Sequence, residues 1–244
     1  MINLGAAHEN LDQKAYSIIK EMIIERKLLP GQKISQEKLA RDLGISRTPL
    51  ISALKFLEQE KLLESIPRRG FFVRLFSKEE MVYIFELREV LEGLAARRAA
   101  ARITDPQILE LDGFFRQFAA QENISDYKAY AREDRRFHGF VIDVGAKEFL
   151  KSILLTTNII SFSYQVLHSE GLVRPPNATI QEHLAVIGAI KERDSEGAEI
   201  LMRLHFKKSL AYLKREINGK EKGNGTTPVT KNNASLMKGG DASQ

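Results

Sequence analysis

The stretch Leu39-Ala40-Arg41-Asp42-Leu43-Gly44-Ile45-Ser46-Arg47-Thr48-Pro49-Leu50 decides how this chain is read. Two helices that cross steeply need a small residue where they touch, and Ala40 supplies it. The turn between them needs a residue at ease with positive φ, and Gly44 supplies that. Ser46 stands where an N-cap belongs, and Pro49 falls in the first turn, where its missing N–H costs nothing. Ile45, Leu50, Ala53, Leu54 and Leu57 form the inner stripe of the second helix. Arg47, Thr48, Ile51, Ser52 and Lys55 are left facing out, on the N-terminal face that a recognition helix offers to the major groove. Taken alone, this spacing also fits a helical hairpin with solvated charges.

The residues that follow tip the balance toward DNA. Helices are expected at 11–27, 35–42 and 47–59, then two short strands at 62–66 and 71–75 around Pro67-Arg68-Arg69-Gly70. This hairpin carries two guanidinium groups at its tip, within reach of phosphate or a minor groove. A reading helix leading into a basic hairpin is a winged helix-turn-helix arrangement. Near Phe76 the pattern changes. Ser77 and Glu80 are spaced as a capping box ahead of Met81, Ile84 and Phe85. From there the chain reads as helical throughout, at 78–101, 105–121, 125–144, 147–168, 177–193 and 195–217. Asp105-Pro106 serves as cap and first-turn proline, while Asn123, Gly145 and Pro175-Pro176 are breaks.

The expected organisation is a winged helix-turn-helix over 11–76, a helical domain over 77–217 and a disordered tail over 218–244. The tail is rich in Gly, Asn, Thr, Ser and Lys and has too few large apolar residues to offset its ordering entropy. Charge follows the same division. Residues 1–76 carry 13 basic against 9 acidic side chains, and residues 77–216 carry 20 against 21. A polyanion is therefore expected to meet only the first part.

The 244 residues include no cysteine, which rules out disulfides, iron–sulfur clusters and a thiol nucleophile. No apolar run approaches the ~20 residues of a membrane helix, and the N-terminus lacks the basic flank and apolar core of a signal peptide. No membrane association is expected, and a cytoplasmic location is.

Of the five histidines, His8 precedes the first helix and reads as surface. In the helix at 125–144, Tyr127, Ala131, Asp134, His138 and Val141 share a face, with Asp134 and His138 one turn apart. His183 lies between Ile180 and Ile187 on an inner stripe. His205 follows Ala198, Leu201 and Met202 on another. Any one of these histidines alone reads as a satisfied core residue. One acid and three imidazoles converging in one bundle favour a divalent transition metal held by Asp134, His138, His183 and His205, with zinc or nickel first among the candidates. Arg88 shares a face with Met81, Ile84, Phe85, Leu91 and Ala95. It either pairs with Glu92 one turn on or points inward to hold a carboxylate.

These residues carry a resemblance. Leu29-Pro30-Gly31-Gln32-Lys33-Ile34-Ser35, the 39–50 run and Pro67-Arg68-Arg69-Gly70-Phe71-Phe72-Val73 resemble the winged helix of the GntR family of bacterial transcription regulators. Leu87-Arg88-Glu89-Val90-Leu91-Glu92, Asp134-Arg135-Arg136-Phe137-His138, the block 182–190 and the block 198–205 resemble the FCD effector domain of its FadR-like branch. The resemblance implies a mainly α fold, with a six- or seven-helix antiparallel bundle after the winged domain. It implies DNA contacts from Arg47, Thr48, Arg68, Arg69 and Gly70, and the same four metal ligands. It also implies an organic-acid or sugar-acid effector above the metal, with Arg88 on its carboxylate.

Three positions depart from the family pattern. Ile51-Ser52 stands where Arg-Glu is usual, Glu37 where Arg or Lys is usual, and Gly145-Ala146-Lys147 where Gly-Asn is usual. Ile51 could meet a thymine methyl and Glu37 a cytosine amine. An operator unlike the family's common one, bound more weakly, is the expectation.

The function expected is a homodimeric, ligand-responsive DNA-binding regulator on a pseudo-palindromic operator, a repressor released by a small carboxylate, and not an enzyme. Two rivals stand beside it. One is a metalloenzyme using the Asp/His site, disfavoured because no spare Glu is placed as a general base close to the motif. The other is a DNA-binding module with a purely structural metal.

Overall fold

The computed structural model describes residues 10–147, 150–154, 156–157 and 172–221. The expectations for His8, most of the helix at 147–168 and the tail from residue 222 lie outside the described residues.

The first unit runs α1 (Leu11–Ile24), α2 (Gln36–Leu43), α3 (Arg47–Gln59), β1 (Leu63–Ile66) and β2 (Gly70–Val73). Gly44 caps α2 in the left-handed region at φ 64°, so the turn forms where the sequence placed it. Leu50, Ala53, Leu54 and Leu57 are buried, and Ile19 and Ile23 of α1 join them in the core. β1 and β2 pair antiparallel, with Leu63 opposite Val73 and Ile66 opposite Gly70. β1 begins one residue later than the 62–66 expected, and β2 begins one residue earlier and ends two short of the 71–75 expected. A third extended segment was not foreseen. Gly31 N–H donates to Val73 O, Val73 N–H to Gln32 O and Ile34 N–H to Phe71 O, so residues 31–34 edge the hairpin and seat it on the helices.

Residues 74–77 connect to α4 (Lys78–Arg102), one unbroken 25-residue helix. Its capping box is complete: Glu80 N–H donates to Ser77 Oγ at 3.1 Å and Ser77 N–H to Glu80 Oε2 at 2.9 Å. Arg74, at the end of the wing, pairs with the same Glu80. α5 (Asp105–Leu111), α6 (Tyr127–Gly145), α7 (Pro176–Lys191) and α8 (Ser195–Glu221) complete the described bundle, with residues 150–154 also helical. α4 lies along α8 and against α6, and α7 packs on α8. Ala95, Ala96, Ala99 and Ala100 are all buried on α4. They let α6 approach so closely that a Cβ on Gly145 would stand 1.9 Å from Ala95 O.

Several helix boundaries differ from the reading of the sequence: α1 ends at Ile24 rather than 27, and α6 begins at Tyr127 rather than 125. The helix expected over 105–121 stops at Leu111, because Phe115 takes a left-handed φ of 59° and turns its backbone N–H to the buried Glu133 carboxylate. The cap of α5 is Thr104, one residue ahead of the Asp105 expected, and its N–H donates to Gln107 Oε1. α8 continues to Glu221, past the end expected at 217. No helix among the described residues is long and apolar enough to cross a membrane.

Candidate functional site

Two regions gather the singled-out side chains. The first is a groove of about 750 Å³ between α2 and the wing, lined by Lys33, Ser35, Gln36, Glu37, Arg47 and the tip residues Arg68, Arg69 and Gly70 among others. The tip is a three-residue turn: Arg69 N–H donates to Ile66 O, Arg68 sits at φ 63° and Gly70 at φ 93°. Arg69 leans over the Phe72 ring with its guanidinium carbon 5.4 Å from the centroid. Glu37, Arg47, Arg68, Arg69 and Gly70 thus share one concave face. Thr48 and Lys55 are exposed on α3, outside that groove. Ile51 and Ser52 are half-buried, and Ile51 packs against the core, so the exposed position expected for it is corrected. Lys33, Ser35 and Gln36 were missed. Their signal was the Gly31–Ser35 run, whose pairing with the wing brings it to the groove.

The second region lies where α4, α6, α7 and α8 meet. His138, His183 and His205 are buried, and each offers one ring nitrogen within 4.8 Å of the others. Their ring centroids stand 5.6, 5.5 and 4.6 Å apart. Each Nδ1 faces a partner on another helix. His138 Nδ1–H donates to Glu92 Oε2 at 2.5 Å, and His205 Nδ1–H to Glu182 Oε2 at 2.9 Å. His183 Nδ1 lies 3.0 Å from the Tyr130 hydroxyl, which is 2.8 Å from Thr179 Oγ1. Thr179 spends its own proton on Pro176 O, so Tyr130 must donate to Thr179 and accept from His183. Hydrogen bonding therefore assigns the same tautomer to all three rings and leaves each Nε2 a bare lone pair. His183 Nε2 is buried with no hydrogen-bond partner.

Burial holds the His183 imidazole well below its usual pKa, and the neighbouring His205 and His138 add to the effect. Burial likewise lowers His205, although its bond to Glu182 opposes that. Both rings are neutral near pH 7, the form that ligates. Asp134 is half-buried at the rim, with Oδ1 3.3 Å from His183 Nε2 and 4.0 Å from His138 Nε2. Three imidazoles and one carboxylate, with an orphaned nitrogen among them, fit a borderline transition cation.

Arg88 is buried, pairs with Glu92 one turn on and faces inward. Its Nε donates to Glu92 Oε1 at 2.7 Å, and its guanidinium carbon lies 4.6 Å from the Phe206 centroid and 5.3 Å from that of Phe85. It also lines a small cavity of about 40 Å³ with Asp134, His138, Arg174 and His205. Burial alone would raise the Glu92 carboxyl, but the Arg88 charge and His138 outweigh it and hold it at about 2. Arg174, unforeseen, bonds Glu182 through both terminal nitrogens and also reaches His205 O and Ser209 Oγ. Two Glu residues do stand beside the histidines, Glu92 and Glu182, where the sequence offered no spare one as a general base. Each is already engaged by a guanidinium and an imidazole, which keeps it from serving as a free base.

Residues 11–73 match the bacterial regulatory proteins of the gntR family, and residues 83–208 match the FCD domain. The chain is 26% identical over 208 residues to the uncharacterized HTH-type transcriptional regulator YdhC of Bacillus subtilis, spanning 84% of this chain and 92% of YdhC. It is 24% identical over 203 residues to the HTH-type transcriptional repressor RspR of Escherichia coli, spanning 80% and 86%. Among solved structures, E. coli McbR/YncC shares the fold with a TM-score of 0.67 at 20% identity, covering 85% of this chain and 99% of that one. YdhC and RspR are named as transcriptional regulators, not as enzymes. The basic groove on a helix-turn-helix and the helical domain behind it are those of a DNA-binding transcription regulator, and the chain belongs to the GntR family with an FCD domain.

Proposed function

We propose that this regulator is a repressor that holds a divalent transition metal through Asp134, His138, His183 and His205 and is released from DNA by a small carboxylate. The observation that carries the reading is the convergence of three buried imidazoles, each with a ring nitrogen within 4.8 Å of the others, and the Asp134 carboxylate beside a cavity that also reaches Arg88. A bound metal supplies Lewis acidity and a positive charge at that point. The chain's own residues orient the ligands, exclude water through Phe85, Phe115 and Phe206, and present the Arg88 guanidinium. Zinc and nickel suit the donor set best. The relative named as a repressor supports the sign of regulation.

DNA is read by Arg47, Thr48, Lys55 and the edges of Ile51 and Ser52 in the major groove. Arg68, Arg69 and Gly70 take the flanking backbone, and Glu37 excludes or selects bases at the groove mouth. A homodimer places two such units on a pseudo-palindrome. Exposed Tyr83, Leu87 and Val90 on α4 and Ile200 and Leu204 on α8 supply the apolar stripe for the second copy.

Selection of bound sequences from a random DNA pool at two salt concentrations, with and without added small carboxylic acids, tests this reading. A palindrome lost on adding one acid is the expected result, while no enrichment under any condition rejects it. The 40 Å³ cavity among the described residues favours a second reading, a structural metal without effector. Thermal shift separates the two, because an effector raises stability with concentration and a closed structural site gives no such response.

A further inference from the structure

We propose that Glu92 and Glu182 are positioning residues for the metal, each fixing the tautomer and donor strength of one histidine across a helix boundary. The proposal rests on the metal reading above and concerns which residues of this chain prepare its ligands. Glu92 on α4 holds His138 on α6, and Glu182 on α7 holds His205 on α8. An ionised carboxylate only accepts, so it admits only the Nδ1–H tautomer and leaves Nε2 bare. Each carboxylate is pinned from behind by a guanidinium, Arg88 Nε at 2.7 Å and Arg174 Nη1 at 2.9 Å. Charge on the acceptor makes its imidazole the stronger donor. His183 differs, because its Nδ1 meets the Tyr130 hydroxyl, an uncharged partner rather than a carboxylate. The three imidazoles are therefore unequal, with His138 and His205 strong and His183 weak. The two Glu–His pairs also tie α4 to α6 and α7 to α8 at one centre, so ligand quality reports on how those helices are seated.

The test uses the full chain. Zinc is titrated against a chromophoric chelator, and cobalt is used to record the visible absorption of the site, in the unchanged protein and in E92Q, E182Q and Y130F. The expected result is a loss of zinc affinity on the order of 10–100-fold in each Glu variant, with displaced cobalt bands, and a smaller loss in Y130F. E182Q placed in a His205→Ala background should then cost nothing further, since its effect passes through that ring. E92Q leaves Arg88 buried without its anion and can fail to fold. E182Q then decides, because Arg174 keeps acceptors on Ala178, His205 and Ser209. Unchanged affinity and bands in E182Q overturn the proposal while leaving the metal reading intact. An unchanged protein that takes up neither zinc nor cobalt overturns both.

Discussion

Phe115 lies flat on His183, with ring centroids 4.6 Å apart and planes 7° from parallel. The left-handed backbone at Phe115 puts the ring there, and the ring closes one wall of the histidine cluster. Removing it opens a cavity beside a buried imidazole. Phe115→Ala should cost about 3–5 kcal/mol of stability, measured by urea unfolding. Phe115→Leu, which keeps most of the volume, should cost clearly less, and equal losses would show that stacking rather than packing dominates.

At Gly145 the helices are too close for any side chain, since a Cβ would meet Ala95 O at 1.9 Å with backbone on both sides. Gly145→Ala should therefore destabilise by about 1–3 kcal/mol or more by overpacking, even though alanine is the better helix former. Thermal melts would read a lowered midpoint, and a raised one would mean α4 and α6 can slide apart freely.

The wing offers a prediction with a slope rather than a magnitude. If Arg68 and Arg69 each neutralise one phosphate, each Arg→Ala change should reduce the slope of log affinity against log salt by about 0.9. Neither should alter which sequence is preferred. Fluorescence anisotropy on one operator across a salt series measures the slope, and a shift in sequence preference would move these arginines from backbone to base contact. Ile51→Arg should do the opposite, changing preference, with an added stability cost because Ile51 is half-buried.

Alkaline pH should loosen the winged domain through one cluster. Tyr16 Oη donates to Glu60 Oε1 at 2.5 Å, and Lys20 Nζ reaches both Tyr16 Oη at 2.6 Å and Glu60 Oε2 at 2.8 Å. Burial, aided by the bond to Glu60, raises the Tyr16 pKa. For Lys20, burial acts downward, but the bonds to Glu60 and Tyr16 outweigh it and the pKa rises. Both folded values exceed the ordinary 10.0 and 10.5, so the stabilisation is whole below about pH 10 and is lost as pH climbs through the raised values. Melts between about pH 9 and about pH 11 should show that fall, flattened in Lys20→Met.

The helix-turn-helix was legible because local chemistry fixes it: Gly44 allows the turn, and the Leu50–Leu57 stripe demands a core. His138, His183 and His205 were legible because each falls on an inner face of its own helix, so convergence follows once the helices bundle. Their partners were not. Glu92, Glu182 and Tyr130 each meet a histidine on another helix, and helical periodicity says which way a residue points without saying what it meets. Glu182 adjoins His183 in sequence yet serves His205. The bridge at Lys33 was hidden because its pairing is with Phe72, about forty positions away. Phe115 was hidden because an aromatic residue at positive φ has no sequence signature. The place of Ile51 was misjudged because a helix only half-sunk in its domain has flanks that are neither inside nor out.

The unbroken α4 has a mechanical meaning. Its first turn is clamped to the wing through Arg74 and Glu80, and four turns on it holds Glu92 against His138. At 1.5 Å per residue, the span from Ser77 to Glu92 is roughly 22 Å, so a tilt of about 5° pivoting at the histidines swings the wing's anchor by roughly 2 Å. That is the scale on which a guanidinium gains or loses a phosphate. The helix thus joins the histidine cluster to the anchor of the wing as one unbroken element.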